Sequence, residues 1–278
     1  MYDYRPVDCS PEGVARCAAL LQACFPAATF VTEDYVRWQY TENPHGNVAG
    51  YNAFFEDQLV AHYVLIPMEA RIDGEVERGF FSLNSATHAD HRGKGLFDRL
   101  SHDSHALATE MGFSFIWGTS NDYSTRGALK LGFKFAGRMR AMIGAGPIAR
   151  RKHVPEVRYE AVHSKEALAW RLRRPNARYG MRPAPEGTAI YAPTGKPGMT
   201  ALLGLVEGGV ELPRASRGPI SVWLGVDERL DWSRSLYFNL PVKLRPAPLN
   251  LMFKDLTGRG RVLDIEHTRV QVLDFDAF

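Results

Sequence analysis

The chain has 278 residues, of which 45% are hydrophobic and 23% charged, and this ordinary globular composition excludes a disordered polymer. Its length suits one large domain or two of about 130 residues each. The formal net charge is only +3 with scattered basic residues, which argues against a nucleic-acid-binding face. No apolar run approaches the roughly 18 residues that a membrane crossing needs, and no signal-peptide pattern is present, so the sequence predicts a cytoplasmic protein.

The first half of the chain predicts a β-meander followed by alternating helices and strands. Ser10 and Pro11 are typical of a helix start, and an apolar stripe with helical spacing follows them. The turn residues Asp73 and Gly74 predict a hairpin between two runs of alternating apolar residues. The predicted strands are 51–55, 59–66, 68–72, 76–87 and 114–117, and the later helices are 125–131 and one whose inward face is Leu96, Leu100, Leu107 and Met111.

A linker is predicted near residue 150, because Gly144-Ala-Gly-Pro147 and then Arg150-Arg-Lys152 interrupt every periodic pattern. The expected units are therefore 1–150 and 151–278. The second unit contains an echo of the first, since Trp38 precedes Asn43-Pro44 and Trp170 precedes Arg174-Pro175, and each is followed by a strand, a turn and a strand. A divergent internal duplication explains this echo, and so do two helices that merely end at prolines.

The segment most informative about function is Thr87 to Phe97, which runs from a strand through Arg92-Gly-Lys-Gly95 into an amphipathic helix. Backbone amides at a helix start, with the helix dipole behind them, form an anion site, and glycines let a phosphate approach closely. The segment fits neither the Walker A pattern nor the dinucleotide fingerprint.

Together with its surroundings, this segment resembles the GNAT superfamily of N-acetyltransferases. The family signature is Arg or Gln, two residues, Gly, one residue, and Gly or Ala. Arg92 and Gly95 match it, and Phe97 stands where the small residue is usual. A later signature of Asn, a small polar residue and Lys-Leu-Gly-Phe is matched by Asn121, Ser124 and the run 130–133. The resemblance covers about residues 5–145. It implies an α/β fold (α+β in strand arrangement) with a central mixed, mostly antiparallel sheet flanked by helices, followed by a degenerate GNAT-like second unit that contributes to the acceptor site.

The resemblance also implies acetyl-CoA or another acyl-CoA as co-substrate, lying in a splay between the strands at 84–87 and 114–118. Its pantetheine would pair with the exposed strand edge and its pyrophosphate would take amides of the loop. No metal is expected. The residues implied in binding it are Ala86, Thr87, His88, Arg92, Gly93, Lys94, Gly95, Leu96, Phe97, Asn121 and Ser124.

Transfer of an acyl group to an amine needs a neutral acceptor and a protonated leaving thiolate. The tyrosine that often supplies this proton in the family is replaced by Ala128. Tyr123 and Ser124 are the nearby substitutes, and Tyr123 is preferred if its hydroxyl reaches the sulfur; a packed loop tyrosine is the alternative. The candidate bases are His62, Asn84 and His88, because a histidine that titrates near neutrality suits the task; a hydrogen-bonded sheet histidine and a solvated turn histidine are the alternatives.

The acceptor is expected to contact Trp38, Tyr40 and Asn43, an aromatic and amide-rich stretch that could stack on a sugar or anchor the core. The two-unit layout resembles enzymes that N-acylate nucleotide-linked amino sugars. The sequence therefore predicts N-acylation of a small-molecule primary amine by direct attack, with no nucleic-acid or membrane partner and with strand edges that permit a homodimer. A non-catalytic acyl-CoA sensor and an acetyltransferase acting on a protein or peptide amine are the alternatives.

Three cysteines, Cys9, Cys17 and Cys24, lie near one end of the chain without a second Cys/His cluster to complete a metal site. Buried free thiols are the expectation.

Overall fold

The protein is described by a computed structural model that covers residues 1–122, 124–151, 153, 156–184, 187–215, 218–245 and 249–275. Within those residues, no helix combines the length and hydrophobicity that crossing a membrane requires. The elements up to residue 150 are β1 (Asp3–Pro6), α1 (Pro11–Cys24), α2 (Glu33–Thr41), β2 (Ala49–Phe55), β3 (Gln58–Ile72), β4 (Glu75–Thr87), α3 (Leu96–Glu110), β5 (Phe115–Ser120), α4 (Thr125–Lys130), β6 (Lys134–Arg138), β7 (Arg140–Ala145) and β8 (Ala149–Arg150).

The elements beyond residue 150 are mostly strands, and one helix of eight residues precedes most of them. They are β9 (Tyr159–Ala161), α5 (Lys165–Leu172), β10 (Gly180–Ala184), β11 (Gly187–Pro193), β12 (Met199–Val206), β13 (Ile220–Val226), β14 (Leu230–Asp231), β15 (Leu236–Asn239), β16 (Asn250–Asp255) and β17 (Thr268–Gln271).

Local sequence signals explain how the first elements begin and turn. Ser10 caps α1, because its Oγ accepts a hydrogen bond from the amide of Gly13 at 3.1 Å. The hairpin between β3 and β4 turns at Asp73 and Gly74, which both have positive φ, as predicted.

Two local predictions were wrong. The two strands predicted on either side of Pro67 are one continuous strand, β3. Its pairing with β2 ends at Leu65 and its pairing with β9 begins at Ala70, so Pro67 lies where that edge needs no amide donor. The inward helical face ends at Leu107, since Met111 is 45% exposed beyond the last turn of α3.

The sheet contains the same pairing order twice. Strands β2, β3, β4 and β5 are joined by two antiparallel ladders and then a parallel one, and so are β10, β11, β12 and β13. Strands β9 and β17 join the two sets into one sheet of 15 described strands. The repeat of this order is what an internal duplication predicts.

The two units exchange one strand each. Strand β16, from beyond residue 150, lies between β5 and β6 and is antiparallel to both. In the corresponding position of the second set, β7 lies between β13 and β15. The boundary near residue 150 in the sequence stays a prediction. In the structure, each half of the sheet is completed by a strand from the other unit.

A pair of tryptophans joins the units at the helices that precede each meander. The indole rings of Trp38 on α2 and Trp170 on α5 stack with centroids 4.7 Å apart. Each indole Nε1 donates a hydrogen bond to the other residue's backbone carbonyl, at 2.9 and 3.0 Å. This reciprocal contact gives the interface an approximate local twofold character.

Candidate active site

The candidate site is the opening between β4 and β5. These parallel strands pair only from Gly79 to Ser82 and from Phe115 to Gly118, and beyond those residues their facing edges separate. A cavity of about 230 Å³ occupies the opening. The residues that line it include Tyr63, Ser82, Leu83, Asn84, Ser85, Phe97, Gly118, Thr119, Ser120, Ser124, Ala128, Leu131, Phe133 and Met252.

The loop before α3 is built to accept an anion. Gly93 and Gly95 have φ of 72° and 75°, and no atom lies within 4 Å of the position that a Cβ would take at either residue. Helix α3 has no side-chain cap, and the amides of residues 95–98 have no hydrogen-bond acceptor among the described residues. Open space next to unbonded amides at the positive end of a 15-residue helix fits a diphosphate.

Other residues implied in cofactor binding surround this loop. The end of β4, with Ala86 and Thr87, offers its outer edge to the cavity side, since only β3 pairs with it there. The side chain of Arg92 turns back and its Nε donates to the carbonyl of Thr87 at 3.2 Å. Leu96 is buried beneath α3, whereas Lys94 is exposed and Phe97 packs edge-on against the ring of Tyr63.

Asn121 and Ser124 bind each other at the start of α4. The amide of Ser124 donates to Oδ1 of Asn121 at 2.8 Å, and the amide of Asn121 donates to Oγ of Ser124 at 3.1 Å. Ser124 lines the cavity. Their first role in the structure is therefore to close this turn, and their contact with a cofactor stays a prediction.

A β-bulge places Asn84 at the point where β4 leaves β5. His62 pairs with Ala86 and Val64 with Leu83, so two residues of β4 oppose one of β3. Asn84 has φ of 58°, a conformation that asparagine tolerates better than most residues. Its Nδ2 donates to Oε1 of Gln39 at 2.6 Å, which ties the bulge to α2.

His62 lies behind Asn84 in a buried polar cluster. Its Nδ1 is 2.6 Å from Oδ1 of Asn52, and its Nε2 is 2.7 Å from the hydroxyl of Tyr40. Since Asn52 offers an acceptor, Nδ1 carries the proton and Nε2 accepts from Tyr40. Complete burial lowers the pKa of His62 to about 3, so the expected titration near neutrality does not hold for this residue.

His88 lies in the turn after β4, half-exposed, with Nδ1 accepting the amide of Asp90 at 3.4 Å. It does not line the cavity between β4 and β5. Tyr123, the candidate acid, falls outside the described residues. The structure therefore links Asn84 to His62 through the hydroxyl of Tyr40, and His88 is not among the residues that line the cavity.

The three residues expected to bind the acceptor are buried. Trp38 is covered by Trp170, Tyr40 is bonded to His62, and Nδ2 of Asn43 donates to the carbonyl of Pro67 at 2.8 Å. These contacts are those of core anchors, the alternative that the sequence left open. Their role in binding an acceptor stays a prediction.

Sequence reasoning missed Tyr63, Ser82 and Lys254. Tyr63 and Ser82 line the cavity and their hydroxyls lie 3.0 Å apart, and Lys254 is joined to Tyr63 through His105. The alternation of strand residues could have identified Tyr63, because it faces the side of the sheet opposite to His62. No sequence signal places Lys254 there, since it arrives on β16 from the other unit.

The free cysteines do not form a reactive centre. Cys17 is buried, and Cys9 and Cys24 are half-buried. Burial raises the pKa of Cys17 to about 12, which keeps it protonated. Among the described residues, no group of three or more His, Cys, Asp or Glu side chains could hold a metal ion.

Comparison with known proteins agrees with this geometry. Residues 4–136 match the family model of the acetyltransferase (GNAT) domain. Among curated protein sequences, none is detectably similar to the chain. Residues 4–136 are therefore a GNAT acetyltransferase domain, a class whose members use acetyl-CoA or another acyl-CoA as co-substrate and a small-molecule or peptide amine as acceptor.

Solved structures share the fold across nearly the whole chain. A GCN5-related N-acetyltransferase from Anabaena variabilis has a TM-score of 0.65 at 12% identity, covering 93% of this chain and 74% of its own. A probable N-acyltransferase from Enterococcus faecalis has a TM-score of 0.62 at 10% identity, covering 94% and 74%. Eis1 from Mycobacterium abscessus has a TM-score of 0.60 at 10% identity, covering 92% and 74%. The predicted GNAT fold, with a large mixed sheet flanked by helices, is confirmed.

Proposed function

We propose that this protein transfers an acetyl or other short acyl group from acyl-CoA to a primary amine of a small molecule. The observation that carries the proposal is the row of unbonded amides at the start of α3, open to a cavity between two separating strands. The pyrophosphate would take these amides, and the pantetheine would pair with the free edge of β4 at residues 84–87. Residues 93–97 then bind mainly through the backbone.

The proposed reaction is direct attack of the amine on the thioester within a ternary complex. The donor enters on the side of the sheet covered by α3, so the acceptor would approach from the opposite side, where α2 holds Asn84 through Gln39. His62 acting through Tyr40 and His88 acting through water are both proposed bases. His62→Gln and His88→Gln distinguish them, since only loss of the true base should remove the low-pH limb of the rate profile.

The acceptor proposed more specifically is a nucleotide-linked amino sugar, from the resemblance in layout. The three residues first expected to bind it are buried, so the sugar would depend on other side chains. In a panel of amino sugars, polyamines and peptide amino termini, we expect turnover to be fastest with one amino sugar. Preference for peptides would support a protein acceptor instead.

Two measurements test the proposed function. Calorimetry with CoA should show 1:1 binding, and release of the free thiol from acetyl-CoA should depend on an added amine. Binding of CoA without turnover on any amine would favour a non-catalytic sensor. Absence of both binding and turnover would contradict the assignment of an acyltransferase altogether.

A further inference from the structure

A continuous chain of hydrogen bonds leads from the cavity to a lysine of the second unit. The half-exposed Ser82 lines the cavity, and its Oγ is 3.0 Å from the hydroxyl of the buried Tyr63. That hydroxyl is 2.9 Å from Nε2 of His105 on α3. Nδ1 of His105 is 2.9 Å from Nζ of Lys254 on β16, which also donates to the carbonyl of Leu131 at 2.7 Å.

The chemistry of these groups gives the chain one direction. An ammonium group only donates, so Lys254 makes Nδ1 of His105 an acceptor and leaves the proton of the neutral ring on Nε2. Nε2 then donates to Tyr63, whose own proton is left to point at Ser82. The hydroxyl proton of Ser82 is in turn available to the cavity. Every link therefore donates toward the place where the thioester would lie.

We propose that this chain, which we call the Lys254 relay (Ser82, Tyr63, His105 and Lys254), protonates the leaving thiolate. As the amine forms its bond to the acyl carbon and the C–S bond breaks, the sulfur takes the hydroxyl proton of Ser82. Tyr63 restores that proton, His105 restores the one on Tyr63 from Nε2, and Lys254 donates to Nδ1. The amine nitrogen passes its own proton to the proposed base or to solvent as the amide forms. Lys254 is left as a neutral amine. After the thiol departs, a solvent proton taken up at Ser82 travels back through Tyr63 and His105, which restores the ammonium of Lys254 and the Nε2 proton of His105. The inference rests on the proposed function.

The surroundings of the relay favour passing a proton along it over holding a charge on His105. Burial of His105, followed by the influence of Lys254 from β16 and of His102 from α3 itself, holds the pKa of His105 at about 3. The ring therefore stays neutral between transfers. Burial also lowers the pKa of Lys254, which brings its ammonium closer to the acidity of a thiol. Ser101 is the other side chain that acts on Tyr63, and it is uncharged.

The relay accounts for the alanine at residue 128. Ala128 lines the same cavity without a group that can donate a proton. Ser82 presents a hydroxyl to this cavity from β4, and β16 delivers the ammonium that polarises it. The second unit would thus take part in chemistry at a cavity of the first.

The experiment compares Tyr63→Phe and Lys254→Met with the unchanged protein, using acetyl-CoA and the amine that gives the fastest thiol release. We expect either variant to lower kcat by about 10²-fold or more, the contribution typical of general acid catalysis, with CoA affinity unchanged. The decline of kcat at high pH, which reports loss of the Lys254 proton, should disappear in Lys254→Met. An aryl thioester, whose thiol needs no acid to leave, should restore most of the rate.

Tyr159→Phe is the matched control, because Tyr159 is buried and its hydroxyl has no hydrogen-bond partner among the described residues. Thermal unfolding checks that each variant folds. If Tyr63→Phe does not fold, Ser82→Ala replaces it in the comparison. An unchanged kcat in the variants, or a high-pH decline of kcat that persists in Lys254→Met, would overturn the relay. If the protein does not accept the aryl thioester, the pH profile of Lys254→Met is the deciding measurement. If the unchanged protein does not bind CoA, that result would instead overturn the proposed function.

Discussion

The corresponding faces of the two halves of the sheet differ in what covers them. In the first unit, α3 packs Leu96, Leu100 and Ala108 onto the sheet, and its start provides the proposed anion site. In the second unit, residues 207–219 connect the equivalent strands, and no helix is present among the described residues of that segment. A cavity of about 1080 Å³ lies on that face instead, lined by apolar residues together with Arg150, Arg182 and Arg214.

The larger cavity is thus not the better candidate for acyl-CoA. Both units contain a pair of parallel strands that separate beyond a short paired stretch. In the second unit these strands are β12 and β13, which pair only from Met199 to Leu202 and from Ile220 to Trp223. Among the described residues, only the first unit follows the third strand of its set, β4, with a glycine turn and a helix. Affinity for a diphosphate depends on that turn and helix, and a strand meander alone does not confer it.

The first way to sharpen the comparison is to test whether the units depend on each other. Trp38→Ala and Trp170→Ala should each lower the free energy of unfolding by about 3–5 kcal/mol, because each removes a buried indole and a hydrogen bond. The double variant should show a coupling of about 0.5–1.5 kcal/mol or more, since the rings stack and bond reciprocally. Chemical denaturation measures both.

The control for this cycle is Trp223, whose ring packs at a tilt of 44° against Trp232 within the second unit, with centroids 4.9 Å apart. Trp38→Ala and Trp223→Ala should add, because the two indoles belong to separate hydrophobic clusters. Additivity of the Trp38 and Trp170 variants would contradict the reciprocal contact.

The second test compares matching glycines of the two units. Gly95 and Gly208 have φ of 75° and 78°, and at both residues the space that a Cβ would occupy is open. Proline cannot adopt this φ, so either substitution rearranges its turn. Gly95→Pro should weaken CoA binding by about 100-fold or more, which is the loss of one or two charge-assisted hydrogen bonds, whereas Gly208→Pro should not.

Calorimetry with CoA measures this difference, and Lys94→Ala is a further control because it leaves every backbone amide in place. We expect only a several-fold loss for that variant. Equal loss from both proline variants would mean that the second unit also takes part in holding CoA.

The third test concerns acid sensitivity, which should originate in the first unit. His62 and His105 have pKa values of about 3 in the folded protein, below the ordinary 6.5 that the unfolded chain restores. Unfolding between these values takes up protons, so stability is present above about pH 6.5 and is lost as pH falls toward 3. Each histidine contributes a slope of up to about 1.4 kcal/mol per pH unit in that window.

His62→Gln should therefore flatten the acid dependence of the unfolding free energy by one such slope. Urea unfolding at several values of pH measures this change, and identical acid slopes in the two proteins would contradict the buried, neutral state of His62.

Features set by neighbouring residues could be predicted from the sequence. The cap at Ser10, the hairpin turn at Asp73 and the glycine turn before Leu96 each depend on a few consecutive residues, and all three occur as expected. The proposed anion site also depends on local sequence, because its donors belong to one turn and one helix start.

Features that depend on distant residues could not be predicted. Strand β16 pairs Met252 with Gly118, and more than half of the second unit lies between these two residues along the chain. No local pattern encodes that register. The low pKa of His62 follows from its burial beneath α1 and α2, which the strand pattern does not reveal. The Lys254 relay combines both difficulties, since its members come from β3, β4, α3 and β16.

The exchange of β7 and β16 has a consequence for biosynthesis. The sheet of the first unit lacks an interior strand until residues 250–255 have left the ribosome, although all its other strands precede residue 140. Strand β6, and the edge of β5 that does not pair with β4, thus lack their β16 partner while the remaining chain is made. Closure must bring together segments more than 110 residues apart along the chain, as between Arg138 and Asn250, so the last step of folding is slow and cannot be completed by the first 150 residues alone.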